Sequence, residues 1–262
     1  MAISLADVRR VRADLPPRLL IYGPEGMGKT TLASEFPSPV FLQVEDGTPA
    51  DTELTSFGQL DSYDAVVEAL QSLISEDHDF GTVVVDSISR LETLVFAETC
   101  KRNNWKTIEA PGYGKGYKEA DYVWSDLLEG LSVLRKDRRM NVILIGHAKI
   151  DRFDDPTTTS YSRFELALHD RAAALISREV DAILLVKQDV VVKEEDQGFN
   201  KKRAVANASE LRWIYAEGRP GFVAKNRYGI PPKLPFHKGQ GYAQLSQFFP
   251  PAGFATPVAE AA

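Results

Sequence analysis

The chain has 262 residues, of which 44% are hydrophobic and 26% charged, enough to bury one core of the size usual for an α/β domain. Its formal net charge of −6 excludes a protein that holds nucleic acid through a bulk positive field, so any such contact must be local. The single cysteine, Cys100, excludes an intramolecular disulfide and a multi-cysteine metal site, and suits a reducing compartment.

Residues 1–15 (MAISLADVRRVRADL) read as an N-terminal extension, too polar and charged for a signal peptide. No apolar run approaches the ~18 residues of a membrane span, so a soluble, cytoplasmic protein is expected. From residue 16 to 249 the pattern alternates strand and helix, which predicts a mostly parallel central sheet flanked by helices. Leu19–Tyr22 is the first strand, followed by a short helix to Phe36, stopped by Pro37. Val40–Val44 is the second strand, ending in Glu45-Asp46-Gly47, and the helical spacing of Val66, Val67, Leu70, Leu73 and Ile74 predicts a helix over 61–76. Thr82–Asp86 reads as a buried strand, 87–102 as a helix, Trp105–Tyr117 as a Gly- and aromatic-rich loop, and the following stretch to Arg138 as a helix. Asn141–Gly146 is the fourth strand, with a polar segment, Lys149–Arg163, after it. A helix over 169–179 and a strand at Ala182–Lys187 follow. Val190–Lys193, Leu211–Tyr215 and Phe222–Ala224 then suggest a C-terminal antiparallel β extension, and 250–262, rich in Pro and Ala, a disordered tail. The basic clusters at Arg9–Arg12, Lys101–Lys106, Arg135–Arg139 and Lys201–Arg203 read mostly as solvated faces or helix C-termini.

The first strand runs into Gly23, Pro24, Glu25, Gly26, Met27, Gly28, Lys29 and Thr30, which fill every fixed place of the phosphate-loop pattern G-x-x-x-x-G-K-[ST]. The glycines let the backbone wrap closely enough for consecutive N–H groups to face phosphate oxygens, and the next helix, which includes Thr31, aims its positive end at the same anion. Lys29 would reach the β and γ phosphates, and the Thr30 hydroxyl would hold Mg²⁺. Asp86 ends a β-branched strand of the kind that, in phosphate-loop enzymes, lies beside the first and faces the metal; an Asp before a helix also serves as an N-cap. Glu45 stands at a strand's carboxyl end, where a base for water belongs in an open α/β sheet, with Asp46 next to it as the alternative. His147 follows the fourth strand at the same edge, in position to sense a γ-phosphate, although a lone His is commonly structural.

The order GPEGMGKTTLA, VFLQVED, TVVVDSIS, VILIGH and AKNRYGIP resembles the RecA-type branch of phosphate-loop ATPases. Within that branch it is similar to the small phage-encoded ATP-binding proteins that act as RecA-like single-strand annealing factors. The resemblance spans about residues 15–235. It implies ATP and Mg²⁺ as cofactors, Glu45 activating water, single-stranded DNA as partner, and self-association into a ring or filament. It also implies that Lys225 and Arg227 reach the nucleotide of a neighbouring subunit, with Arg227 standing where the family pattern Lys-Asn-Lys has its second Lys. His147 departs from the Gln common in that branch. The DNA loops implied are Trp105–Lys118 (Trp105, Lys106, Tyr113, Lys115, Tyr117, Lys118) and Lys149–Arg163 (Arg152, Phe153, Tyr161, Arg163), which mix rings with cations. A single-strand binding protein or a recombinase is the kind of protein partner it suggests. Two other classes share the phosphate loop: a nucleotide-gated interaction protein that does not itself grip DNA, which the acidic charge favours, and a small-molecule kinase, for which the sequence offers no Arg-rich lid.

Overall fold

Five apolar runs pair side by side into the parallel heart of the protein. A computed structural model describes residues 14–48, 52–196 and 202–250, with 190–196 and 202–210 described by their backbone. The N-terminal extension up to residue 13, Lys201 and the tail beyond Pro250 lie outside the described residues.

The strands are β1 (Arg18–Gly23), β2 (Pro39–Gln43), β3 (Ser56–Gln59), β4 (Thr82–Asp86), β5 (Asn141–Phe153), β6 (Tyr161–Leu166), β7 (Ala182–Asp196), β8 (Lys202–Tyr215), β9 (Lys225–Asn226) and β10 (Lys233–Phe236). The helices are α1 (Lys29–Ser34), α2 (Tyr63–Ser75), α3 (Ile88–Asn103), α4 (Lys115–Lys136), α5 (Asp170–Glu179) and α6 (Gly241–Ser246). The sheet order is β10-β8-β7-β1-β5-β4-β2-β3, with β6 added to β5 and β9 to β7. Strands from β3 through β7 in that order are parallel, and β8, β9, β10 and β6 join antiparallel. The expected α/β sheet with a C-terminal antiparallel extension is what forms.

Successive residues of a strand face opposite sides, and here both sides are covered. Leu20, Tyr22, Val83, Val85, Val142 and Leu144 pack with α2, α3, α4 and α5, including the fully buried Trp124 and Leu131. Leu19, Ile21, Phe41, Val84, Ile143 and Ile145 pack on the other face with Leu32, Ala33 and Phe36 of the α1 segment, Phe236, and Leu245 of α6. Ser62 and Ser87 cap α2 and α3 by accepting from the N–H groups of Ala65 and Arg90. Lys101 and Arg102, and Arg135 and Lys136, fall in the last turns of α3 and α4, where cations meet exposed carbonyls.

Several expectations are corrected. The strand ending in Asp86 does not lie beside the first: β5 is inserted between β1 and β4, with Leu20 opposite Leu144 and Val85 opposite Leu144 on its other edge. Val142–Ile145 is buried throughout, so it tolerates neighbours on both edges and both faces. The polar segment after Gly146 is not a loop but the continuation of β5 and its hairpin partner β6, paired from Ala148–Leu166 to Phe153–Tyr161. Lys115, Tyr117 and Lys118 belong to the first turn of α4 and not to a loop. Val190–Lys193 and Leu211–Tyr215 are parts of one long β7–β8 hairpin, while Phe222–Ala224 forms isolated bridges only. The short elements β3, β9, β10 and α6 were not foreseen, being too brief for a periodic signal.

Gly23 closes β1 against β7, where an added Cβ would stand 2.1 Å from the Val186 carbonyl oxygen. Gly23→Ala is therefore expected to lower stability by about 1–3 kcal/mol, read as a lower urea midpoint. An unchanged midpoint would contradict this close packing.

Candidate functional site

The carboxyl ends of β1, β2 and β4, and the end of the parallel half of β5, bring Gly23, Glu45, Asp86 and His147 to one edge of the sheet, where ligands bind in open α/β folds. The loop after β1 turns with Gly26 at φ +70° and Gly28 at φ +86°, conformations that favour glycine, and Gly28 caps α1. A cleft of about 490 Å³ opens there, lined by Glu25, Gly26, Gly28, Lys29, Thr30, Thr31, Glu45, Asp86, His147, Arg212 and Lys238 among others. Pro24 contributes its carbonyl, and Met27 turns instead toward the core under α1.

Lys29 is only 6% exposed, and its ammonium donates to the carbonyls of Gly23 (3.0 Å) and Pro24 (2.8 Å). Burial pulls its pKa below the usual lysine value, and the carboxylates of Asp86, Glu45 and Glu25 offset that. Thr30 Oγ1 donates to Asp86 Oδ2 at 2.7 Å, across the inserted strand. Asp86 is buried, and that burial raises its pKa, opposed first by the Thr30 hydrogen bond. The cap of α3 is the Ser87 hydroxyl, so the Asp86 side chain is committed to Thr30 and not to capping.

Both Glu45 oxygens are held. Oε1 meets His147 Nε2 at 2.9 Å, and Oε2 accepts from Ser87 Oγ at 2.9 Å. The His147 bond is the leading cause that lowers the Glu45 pKa and raises that of His147. His147 is fixed further by its backbone N–H, which donates to Ser89 Oγ at 3.0 Å. Asp46 is exposed and does not line the cleft.

Among the described residues no group of three or more His, Cys, Asp or Glu side chains could hold a metal by itself. The Thr30 hydroxyl and Asp86 carboxylate nonetheless fit Mg²⁺, which usually takes one or two protein oxygens and completes its shell from phosphates and water. A buried carboxylate whose ionised form is penalised by desolvation is also where a cation is welcome.

The remaining sequence candidates lie elsewhere. Lys225 and Arg227 sit at the opposite edge, beside the start of β7, where Asn226 pairs with Ala182. Lys225 Nζ donates to the carbonyls of Ser177 (2.7 Å) and Val180 (2.7 Å), closing the end of α5, while Arg227 is half exposed and reaches Asp181 at 3.5 Å. In the 105–118 stretch, Tyr113 is fully exposed at φ +50°, between Gly112 and Gly114, and Lys106, Lys115 and Lys118 are exposed around it. Trp105 is partly buried, and Tyr117 is taken up in packing, stacked on His169 with ring centres 4.0 Å apart. On the β5–β6 hairpin the cations are paired: Arg152 with Asp154 at 3.1 Å, and Arg163 with Glu165 at 2.6 Å while lying over the Phe153 ring. Phe153 packs on Tyr161.

Sequence reasoning missed Ser87, Arg212 and Lys238. Arg212 had a usable signal, since alternation in Leu211–Tyr215 puts it on the Ile214 side, which packs toward α1. Lys238, in an irregular turn, had none.

A family model described as an AAA domain matches residues 15–228. Among curated proteins none matches the sequence. Among solved structures, the chain is similar to one described as the crystal structure of the RadB recombinase, at 15% identity over 77% of this chain and 81% of that one, with a TM-score of 0.41.

Proposed function

The chain belongs to the AAA domain family, and from that premise we propose that it binds ATP with Mg²⁺ and hydrolyses it, in a RecA-like manner, while acting on single-stranded DNA. The observation that carries the reading is the convergence of Lys29, the Thr30–Asp86 pair and the Glu45–His147 pair on one cleft. The loop N–H groups and Lys29 bind and orient the phosphates. Thr30 and Asp86 hold the metal, which supplies charge neutralisation of the phosphates when bound. Glu45, ionised and pinned by Ser87 and His147, takes the proton of the attacking water, and His147 answers to the occupancy of the site through that same contact. We further propose that copies of the chain associate so that Arg227 approaches a neighbour's nucleotide; Lys225, engaged with the α5 carbonyls, supports that surface.

DNA contact is assigned to the 105–118 stretch, where the exposed Tyr113 ring offers stacking and Lys106, Lys115 and Lys118 offer phosphate contacts. With ATP present, the logarithm of single-strand affinity should fall with log salt at a slope of about −2, from roughly three such contacts at about −0.7 each. Changing all three lysines to Glu should remove binding. A second reading, a nucleotide-gated interaction protein, is favoured by the net charge of −6 and by the paired cations of the β5–β6 hairpin. ATP turnover with no salt-sensitive single-strand binding would select it.

A further inference from the structure

The cleft holds two cations that the phosphate-loop pattern does not account for. Arg212 comes from β8, where it pairs with Phe236 of β10 and Gln188 of β7, and Lys238 comes from the turn after β10. Both line the cleft with Gly26, Lys29 and Thr30. The Arg212 guanidinium lies close against the loop, since a Cβ built on Gly28 would stand 2.9 Å from its Nη1 and 3.0 Å from the Phe236 ring. Among the described residues no carboxylate forms an ion pair with Arg212, although Glu25, Glu45 and Asp86 line the same cleft.

The turn that carries Lys238 is fastened to the far end of the helix that starts at the phosphate loop. Glu35, the C-cap of α1, accepts from the backbone N–H of Gly239 at 2.6 Å and of Tyr242 at 3.1 Å. Tyr242 packs tilted against Phe36 with ring centres 4.7 Å apart, and a Cβ on Gly241 would meet Leu32 at 2.3 Å, so α6 seats directly on α1. One helix therefore fixes both the loop and the strap of chain that brings the second cation.

We propose that Arg212, with Lys238 beside it, is a ligand of the nucleotide's polyphosphate, so that the C-terminal β extension completes the site from within the same chain. The inference rests on the ATP reading above and adds to it a binding contribution independent of any neighbouring subunit. A guanidinium suits the task because its planar fork donates two parallel hydrogen bonds to one phosphate. It also gives the chain after β10 a reason to pack on α1, which the parallel core alone does not require.

The test is a binding titration of a fluorescent ATP analogue, competed with ATP, inorganic triphosphate and adenosine, on the unaltered chain and on Arg212→Ala, Arg212→Lys and Lys29→Ala. Arg212→Ala should weaken ATP and triphosphate by about tenfold or more, as expected for the loss of charge-assisted hydrogen bonds, and leave adenosine unchanged; Arg212→Lys should recover part of the loss. If Lys29→Ala loses ATP and Arg212→Ala does not, this inference is overturned while the ATP reading stands. If neither changes ATP affinity, the reading itself fails. Should Arg212→Ala not fold, hydrogen exchange on the unaltered chain decides: ATP should slow exchange across 237–246, and unchanged exchange there overturns the proposal.

Discussion

Lys29→Ala is expected to lower ATP turnover by at least about 10²–10³-fold, the loss typical when a preorganised charge aimed at the reacting group is removed. The ammonium is buried at the mouth of the loop, within reach of the Gly23 and Pro24 carbonyls, so a water molecule cannot replace its charge. Arg212 and Lys238 line the same cleft from β8 and the turn after β10, and neither takes the place of the ammonium between the Gly23 and Pro24 carbonyls. Two effects on stability oppose one another, because burial already disfavours the charged lysine while the buried Gly23 carbonyl loses its donor. Turnover measured by phosphate release is the readout, with thermal melting as the control for folding. Turnover within a few-fold of the unaltered protein would refute the placement of phosphates in this loop.

Glu45→Gln carries the second large expectation: turnover reduced by about 10²–10⁴-fold, with ATP affinity kept within a few-fold. The amide preserves the shape that accepts from Ser87 but cannot take a proton from water. The same pair sets a pH dependence. His147 is raised by its bond to Glu45, so it stays protonated to higher pH than a free imidazole and draws on the carboxylate's charge. Turnover should climb as pH rises through the His147 titration, and His147→Gln should flatten that limb. Stability runs the other way. The raised His147 contributes fully below about pH 6.5 and loses its share as pH rises through its folded value, whereas the lowered Glu45 contributes above about pH 4.3 and loses it as pH falls. The ion pair thus supports the fold most between those limits, and a melting-temperature series against pH in the unaltered and His147→Gln chains tests it. If Glu45→Gln hydrolyses ATP normally, the base lies elsewhere, and exposed Asp46 is the next residue to change.

The sequence carried the parallel core well because its signals are local and redundant. β1, β4 and the first half of β5 are runs of buried Leu, Ile and Val, and a strand covered on both faces leaves no other pattern. The phosphate loop was legible for a similar reason, since the glycines at φ +70° and +86° are required by the backbone path and the Lys-Thr that follows completes the phosphate-loop pattern. Strand order was not legible: nothing local to Thr82–Asp86 or Asn141–Gly146 says which of them pairs with β1. The hairpin after Gly146 was misread because its residues are polar and half exposed, as an antiparallel ribbon outside the main layer can afford to be. Lys238 was hidden because it reaches the cleft from an irregular turn, and for Arg212 the alternation in Leu211–Tyr215 gives the face while only the long-range pairing of β8 with β7 and β10 brings that face to the cleft.

The length of β5 has a mechanical consequence. His147, which grips Glu45, and Phe153, where the hairpin turns, are part of one strand without an intervening joint, about 20 Å apart at the usual rise per residue. A small tilt imposed at the imidazole swings the far tip through a larger arc, because an unbroken ribbon has no slack in which to lose it. Any tilt that chemistry at the sheet edge imposed on β5 would in this way reach the hairpin tip, where Phe153 pairs with Tyr161, as a displacement.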